Sequence, residues 1–345
     1  MSVERALRDE VNQRSEVTGG SGTVQTGSDA DVEGRTMTRT DDDTWDITES
    51  VGATALSVAA ARAAETESAQ PLFRDPFARV FLDAAGEGTW SLFDRVRVAD
   101  LDPELAAQMQ ALRDFFAART AFIDDFFAAA ADAGIRQVVI LAAGLDARAW
   151  RLAWPQRTRV YELDQPKVLD FKSSTLRAHG TAPADERIEV AVDLRRDWPT
   201  ALLRAGFDAA APTGWSVEGL LRYLPAQAQD LLFERIHQLS AVGSRIVANA
   251  PTEAALDPRR AAHERELGQR MRAALGARAG IQVPDVDELS YAEERTDAVV
   301  WLAEHGWEAS ATTVPEAVAR YRRGSQDVGE KSLVPSIFIS GRRVR

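Results

Sequence analysis

From residue 136 onward, short aliphatic and β-branched runs alternate with stretches of helical period, and this alternation constrains the fold more than any other feature of the chain. Such a rhythm belongs to a parallel sheet whose crossover helices cover both faces. Strands are expected at Gln137 to Ala142, Arg159 to Leu163, Ile188 to Val192, Gly214 to Val217, Arg245 to Asn249, Trp307 to Thr312 and Ser336 to Ser340. Helices are expected between them at Gln165 to Ala178, Trp198 to Ala205, Pro225 to Ala241 and Ala317 to Arg323. The reading is a seven-stranded, mostly parallel, doubly wound α/β sheet.

Residues 1–36 contain no aromatic residue and include Gly19-Gly20-Ser21-Gly22, so they read as a disordered extension. Met37 opens a segment of different character and could serve as a translation start; residues 37–345 then form one domain. Asp41, Asp42 and Asp43 precede Trp45 and an Ala-rich stretch, as acids do near a helix N-terminus. Within 37–134, helices are expected at Asp75 to Ala85 and at Pro103 to Ala131. In the second, Phe115, Phe116, Ile123, Phe126 and Phe127 recur as a core face. Residues 135–250 read as the cofactor-binding core, 251–306 as a charged helical insertion able to act as a lid, and 307–345 as the closing strands.

With 345 residues, 45% of them hydrophobic, the chain can bury one generous core with additions. Forty-one basic against fifty-three acidic residues leave a net charge of −12, which disfavours nucleic acid and would attract a cationic small molecule. The absence of cysteine excludes disulfides, thiolate metal sites and a cysteine nucleophile. His179, His237, His263 and His305 lie far apart in sequence without metal-ligand spacing, so no metal is expected. No run of about 18 apolar residues occurs and the first ten residues lack a signal-peptide core, giving a soluble, cytoplasmic expectation with no membrane partner.

Chemistry is expected at the carboxyl ends of the strands. The first strand, VVIL, runs into Ala142-Ala143-Gly144-Leu145-Asp146, a small-residue loop that lets backbone approach a ligand, with Asp146 placed to cap the next helix. An ordinary β-to-α turn would look the same. The second strand, RVYELD, ends in Glu162 and Asp164, and Asp164 follows Gly144 by twenty positions, the spacing of a ribose-binding acid. The loop lacks the further glycines of GxGxxG that a pyrophosphate needs, which favours an adenosine cofactor without phosphates. The third strand leads to Asp193-Leu194, able to accept from an adenine amino group and pack on its ring. The fourth ends in Glu218, which suits a cationic ligand; helix capping is the plainer role for each of these acids.

In order, FRDPFA, FFAARTAFIDDFF, ILAAGLDARAWRL, VYELDQP, VAVDLRRDW and SVEGLLRYL resemble the leucine carboxyl methyltransferase family and its actinobacterial branch, over about residues 45–341. The resemblance implies a Rossmann-like fold with S-adenosylmethionine as cofactor. Carried over by motif, Asp164 would bind the ribose, Asp193 and Leu194 the adenine, Gly144 would line the methionine portion, and Glu218 would face the sulfonium and amino group. Arg119 of FFAART would pair with the cofactor carboxylate. The loop reads AAG where the family more often has GAG, and the 251–306 insertion departs from the protein-phosphatase-modifying members, which leaves the acceptor open.

Methyl transfer from a sulfonium needs alignment more than a nucleophilic side chain, so the absence of a visible triad is expected. A carboxylate acceptor needs no general base, whereas a hydroxyl does. Tyr223 and Tyr291 could orient an acceptor, with packing the plainer role for each. Three other readings use the same residues. An NAD-dependent oxidoreductase shares the loop and acid, and a non-catalytic S-adenosylmethionine-binding protein shares the whole site. A serine hydrolase is disfavoured because Gly214-Trp215-Ser216-Val217-Glu218 misses the last glycine of GxSxG.

Overall fold

The computed structural model describes residues 50–86, 88, 90, 101–279, 290–321 and 335–345. The 1–36 extension, Met37 and the acids Asp41, Asp42 and Asp43 lie outside the described residues. The chain divides into units 1–43 and 44–345, and every described element belongs to the second.

Seven strands form one sheet: β1 (Gln137–Leu141), β2 (Arg159–Asp164), β3 (Glu186–Ala191), β4 (Thr213–Val217), β5 (Arg245–Pro251), β6 (Trp307–Thr313) and β7 (Ser336–Arg343). Their order is β3-β2-β1-β4-β5-β7-β6. The first five run parallel, and β7 lies antiparallel between β5 and β6. Every residue of β1 and β4 is buried, as required of central strands covered on both faces.

Side chains alternate between the faces with the two-residue period of a strand. Val139, Leu141, Tyr161 and Trp215 point into a core shared with Trp198, Phe233 and Leu302. Val138, Ile140 and Val160 point the other way, against Phe115, Phe122, Phe127 and Phe338.

On that second side lie helices α1 (Ser50–Thr66), α2 (Pro76–Ala85), α3 (Pro103–Asp132), the single turn α4 (Arg148–Arg151) and α5 (Pro166–Ala178). On the first side lie α6 (Trp198–Arg204) and α7 (Ala226–Gln238), whose Trp198, Leu202, Phe233 and Ile236 enter that core. Helix α3 starts sharply because Asp102 accepts from the Glu104 and Leu105 amides and Pro103 occupies the first turn. It carries the expected phenylalanine face into the core and holds Arg119 at mid-length.

The 251–306 segment is only partly the expected insertion. Helix α8 (Pro258–Ala279) is tied to the start of α3 by Arg270, which donates to Glu104 at 2.6 Å. Helix α9 (Ala298–Glu304) instead buries Ala298, Trp301 and Leu302 in the first core, so it is the crossover into β6 and not a lid. Helix α10 (Val314–Arg320) begins three residues before its expected start. Thr313 and Glu316 form a reciprocal capping box with Pro315 in the first turn, a start signal stronger than the Ala-rich pattern after it.

Candidate cofactor-binding site

The strand order reverses between β1 and β4, and in an open α/β sheet a ligand crevice opens beyond the carboxyl ends of the strands at that point. Both strands leave the sheet through left-handed backbone: Ala142 at φ 52°, Gly144 at φ 47° and Gly219 at φ 66°. Glycine is the residue that adopts this freely. At Gly144 the neighbour is α1, since a Cβ there would stand 3.5 Å from the Ala55 methyl.

Asp164 closes on this loop from the tip of β2. One carboxylate oxygen accepts from the Gly144 amide at 2.6 Å and the other from the Gln165 amide at 2.7 Å. Burial raises its pKa above the ordinary aspartate value even though both hydrogen bonds favour the anion. The loop glycine and the acid twenty positions after it are thus in direct contact.

The tip of β3 stays beside that of β2, because the Val192 amide donates to the Asp164 carbonyl at 2.9 Å. Asp193 lies just beyond, accepting from the Arg195 amide at 2.8 Å and from its guanidinium at 2.6 Å. Burial would raise this carboxyl, but the Arg195 hydrogen bonds prevail and hold it below its ordinary value. Leu194 packs at the margin of the first core.

Glu218, one residue past β4, meets two arginines. Its Oε1 is 2.9 Å from Arg119 Nε, and its Oε2 is 2.7 Å from Arg148 Nη1. Burial opposes ionisation of Glu218, yet Arg148 and Arg119 together keep its pKa below the ordinary glutamate value. The Arg119 Nε is buried and makes no hydrogen bond despite lying 2.9 Å from Glu218, so this nitrogen is paired electrostatically without being satisfied as a donor. Its plane lies over Phe115 and Phe116, with centroids at 5.4 and 5.0 Å.

Sequence reasoning missed the hub of this network. Arg148, 2% exposed, donates to Asp124 at 2.7 Å, to Glu218 at 2.7 Å and to the Asp146 carboxylate. Asp124 also takes both terminal nitrogens of Arg151, at 2.7 and 2.6 Å. The cap position of α4, expected at Asp146, falls instead on Ala147, one residue on, and the Asp146 carboxylate accepts from the Arg148 amide at 2.7 Å from just outside the helix. Burial works against its charge, but Arg148, Lys172 and Arg62 bring its pKa to about 2. The available signal was two acids, Asp124 and Asp125, within the Phe-rich face of α3 and two arginines three apart in ARAWR.

Other candidates fall outside this cluster. Ser216 is buried in the middle of β4, paired in register with Ile140 and Val247, whereas a nucleophile elbow requires a strand-to-helix turn. Tyr223 ends the 3-10 turn Leu221–Tyr223 beyond β4. Tyr291 is 39% exposed, and its amide donates to the Arg222 carbonyl at 2.9 Å. His237 and His305, remote in sequence, come within 5.8 Å beside Trp301 on the α7–α9 surface. Among the described residues no group of three or more His, Asp or Glu could hold a metal ion.

These features define a Rossmann-like α/β fold with a cluster of charged side chains at the carboxyl ends of its central strands. The profile of the family described as leucine carboxyl methyltransferase matches residues 55–237. A Mycolicibacterium paratuberculosis protein is 58% identical over 311 residues, covering 89% of this chain and 99% of its own length. A Mycobacterium tuberculosis protein has the same identity and coverage. Both carry the provisional name S-adenosyl-L-methionine-dependent methyltransferase. Among solved structures, a DUF574 family protein from Streptomyces avermitilis is 18% identical, covers 81% of this chain and 99% of its own, and has a TM-score of 0.42. The Synechocystis magnesium protoporphyrin IX methyltransferase with bound SAH is 11% identical, covers 77% and 93%, and also has a TM-score of 0.42. Those two likenesses are too distant to bear on function. The chain belongs to the leucine carboxyl methyltransferase family. It is an S-adenosyl-L-methionine-dependent methyltransferase.

Proposed function

We propose that the crevice beyond β1, β2, β3 and β4 binds S-adenosylmethionine through Gly144, Asp164, Asp193, Leu194, Glu218 and Arg119, and delivers its methyl group to a carboxylate or hydroxyl oxygen of a small molecule. The observation that carries this assignment is the largely buried pair of Arg119 and Glu218 beside the left-handed Gly219 turn that leaves β4. An amino-acid head group is a zwitterion, and it would offer its carboxylate to Arg119 and its ammonium to Glu218. Asp164, an acceptor fixed at the next strand tip, suits a ribose diol. Asp193 already accepts from Arg195 nitrogens, and an adenine amino group is a donor of the same kind.

When bound, the cofactor supplies an electrophilic methyl group. The protein's part is to hold the cofactor through Arg119, Glu218, Asp164 and Asp193 and to orient an acceptor oxygen in line with the methyl group that the cofactor would supply. A hydroxyl acceptor would also need a proton acceptor; a carboxylate would not.

The net charge of −12 favours a small acceptor over nucleic acid. A cytoplasmic setting fits the absence of cysteine, and no described helix is long and apolar enough to cross a membrane. Helix α8, tethered to α3, is the proposed cover over the acceptor side.

The test is transfer of labelled methyl groups into fractionated small-molecule extracts, with Asp164→Ala as the blank, alongside calorimetric titration with S-adenosylhomocysteine. Transfer by the parent and loss of binding in Asp164→Ala are expected. An Asp164→Ala protein that binds as tightly as the parent would overturn the assignment of that side chain.

A further inference from the structure

Below the loop that carries Gly144 and Asp146 lies a fully buried lysine that the proposed chemistry does not use. Lys172 projects from α5, where Val168, Leu169, Lys172, Thr175 and Leu176 make the buried face. Its Nζ donates to the Asp146 carbonyl at 2.7 Å and stands 2.8 Å from Glu162 Oε2. The same carboxylate oxygen is 2.7 Å from Arg187, whose guanidinium lies over Trp150 at 4.5 Å. One anion thus anchors two cations, and only Lys172 reaches the loop.

Stability alone does not call for an ion group at this position, since apolar side chains of similar volume often replace a whole buried ion group without loss. Removing Lys172 alone leaves Glu162 with Arg187 as a remaining partner. The distinctive feature is the contact with Asp146. That residue's carbonyl is held by Lys172, while its carboxylate holds the Arg148 amide and guanidinium, and Arg148 in turn holds Glu218. On the preceding residue, Arg62 donates to the Leu145 carbonyl at 2.6 Å. Two consecutive loop carbonyls are therefore fixed by side chains from different helices. A site loop fixed in this way binds without first being ordered.

We propose that Lys172 is a positioning residue for cofactor binding: through the Asp146 carbonyl it sets the loop and the chain of Asp146, Arg148 and Glu218 in the geometry that receives the amino-acid end of S-adenosylmethionine. This rests on the site assignment above. Arg187 supplies the matched control, since it shares Glu162 but touches no loop atom in that chain.

The experiment is calorimetric titration of S-adenosylhomocysteine into the full chain for the parent, Lys172→Met, Lys172→Gln and Arg187→Met, with Tm measured on the same samples. Lys172→Met is expected to raise Kd about tenfold, the cost of one lost hydrogen bond from a charged donor. Lys172→Gln, which keeps a donor, should fall between it and the parent, and Arg187→Met should leave Kd within about twofold whatever its Tm. If Lys172→Met does not fold, Lys172→Gln carries the comparison with Arg187→Met. Unchanged Kd in the lysine variants, or an equal rise in Arg187→Met, would overturn the positioning role alone. A parent that does not bind S-adenosylhomocysteine would overturn the site assignment as well.

Discussion

Asp164 is pulled in two directions. Burial favours its protonated form, while the Gly144 and Gln165 amides favour the anion, and burial prevails in raising its pKa. Ribose hydroxyls donate, so they require the anion. Affinity for S-adenosylhomocysteine should therefore rise as pH rises through the elevated Asp164 pKa. Folding stability should move oppositely: the proton is held more tightly in the folded state, so this group's contribution is largest below the unfolded pKa and is lost as pH rises. Calorimetric Kd measured across the acidic range, compared with Asp164→Asn, checks the first sign. The variant should bind weakly with a flatter profile over that range, and an unchanged slope would assign the titration elsewhere. Asp164, Asp193, Glu218 and Gly144 were legible because strand tips are where an α/β sheet gathers its ligand groups. Arg148 was not, because its three carboxylate partners are reached across 2, 24 and 70 positions, and only the folded chain brings them together.

At the scale of elements, α1 and α2 are secured by one carboxylate. Asp75 caps α2 by accepting from the Phe77 and Ala78 amides, and it takes Arg62 Nε of α1 at 2.9 Å. Both side chains are nearly inaccessible, at 7% and 0%. Removing one member of such a pair leaves a buried charge without its partner, which costs about 3–5 kcal/mol. Asp75→Ala should lower the urea midpoint by a corresponding amount, and Arg62→Met with Asp75→Ala should recover part of that loss. Because Arg62 also holds the Leu145 carbonyl, Asp75→Ala, which removes the buried anion that orients Arg62, should weaken S-adenosylhomocysteine binding too; full affinity alongside a lowered urea midpoint would refute the coupling. The cap itself was readable in RDPFA, an acid followed by proline, but its partner thirteen residues upstream was not. Lys172 left a fainter trace, a charge at the i+3 and i+4 position of an otherwise apolar face, where sequence alone cannot distinguish a solvated lysine from one braced against a loop carbonyl.

For the whole molecule, the alternation of strands and helices was enough to give the seven-stranded sheet. It could not give the place of β7, whose insertion between β5 and β6 depends on pairing across the chain, or show that α9 belongs to the core. The switch point between β1 and β4 nevertheless follows from the first five strands alone, and the site assembled there touches α1, α3, α4 and α5. Cofactor binding should therefore stabilise the folded unit as a body. A ligand at one hundred times its Kd contributes about 2.7 kcal/mol to the folded state, and about 2 °C per kcal/mol for a domain of this size gives a Tm rise of about 5 °C. S-adenosylhomocysteine should produce that rise in a thermal-denaturation scan, and NAD at the same concentration should not. Arg119→Met should reduce the rise because the cofactor carboxylate loses its cation. A larger shift with NAD than with S-adenosylhomocysteine would mean that this crevice had evolved for a dinucleotide despite its single-glycine loop.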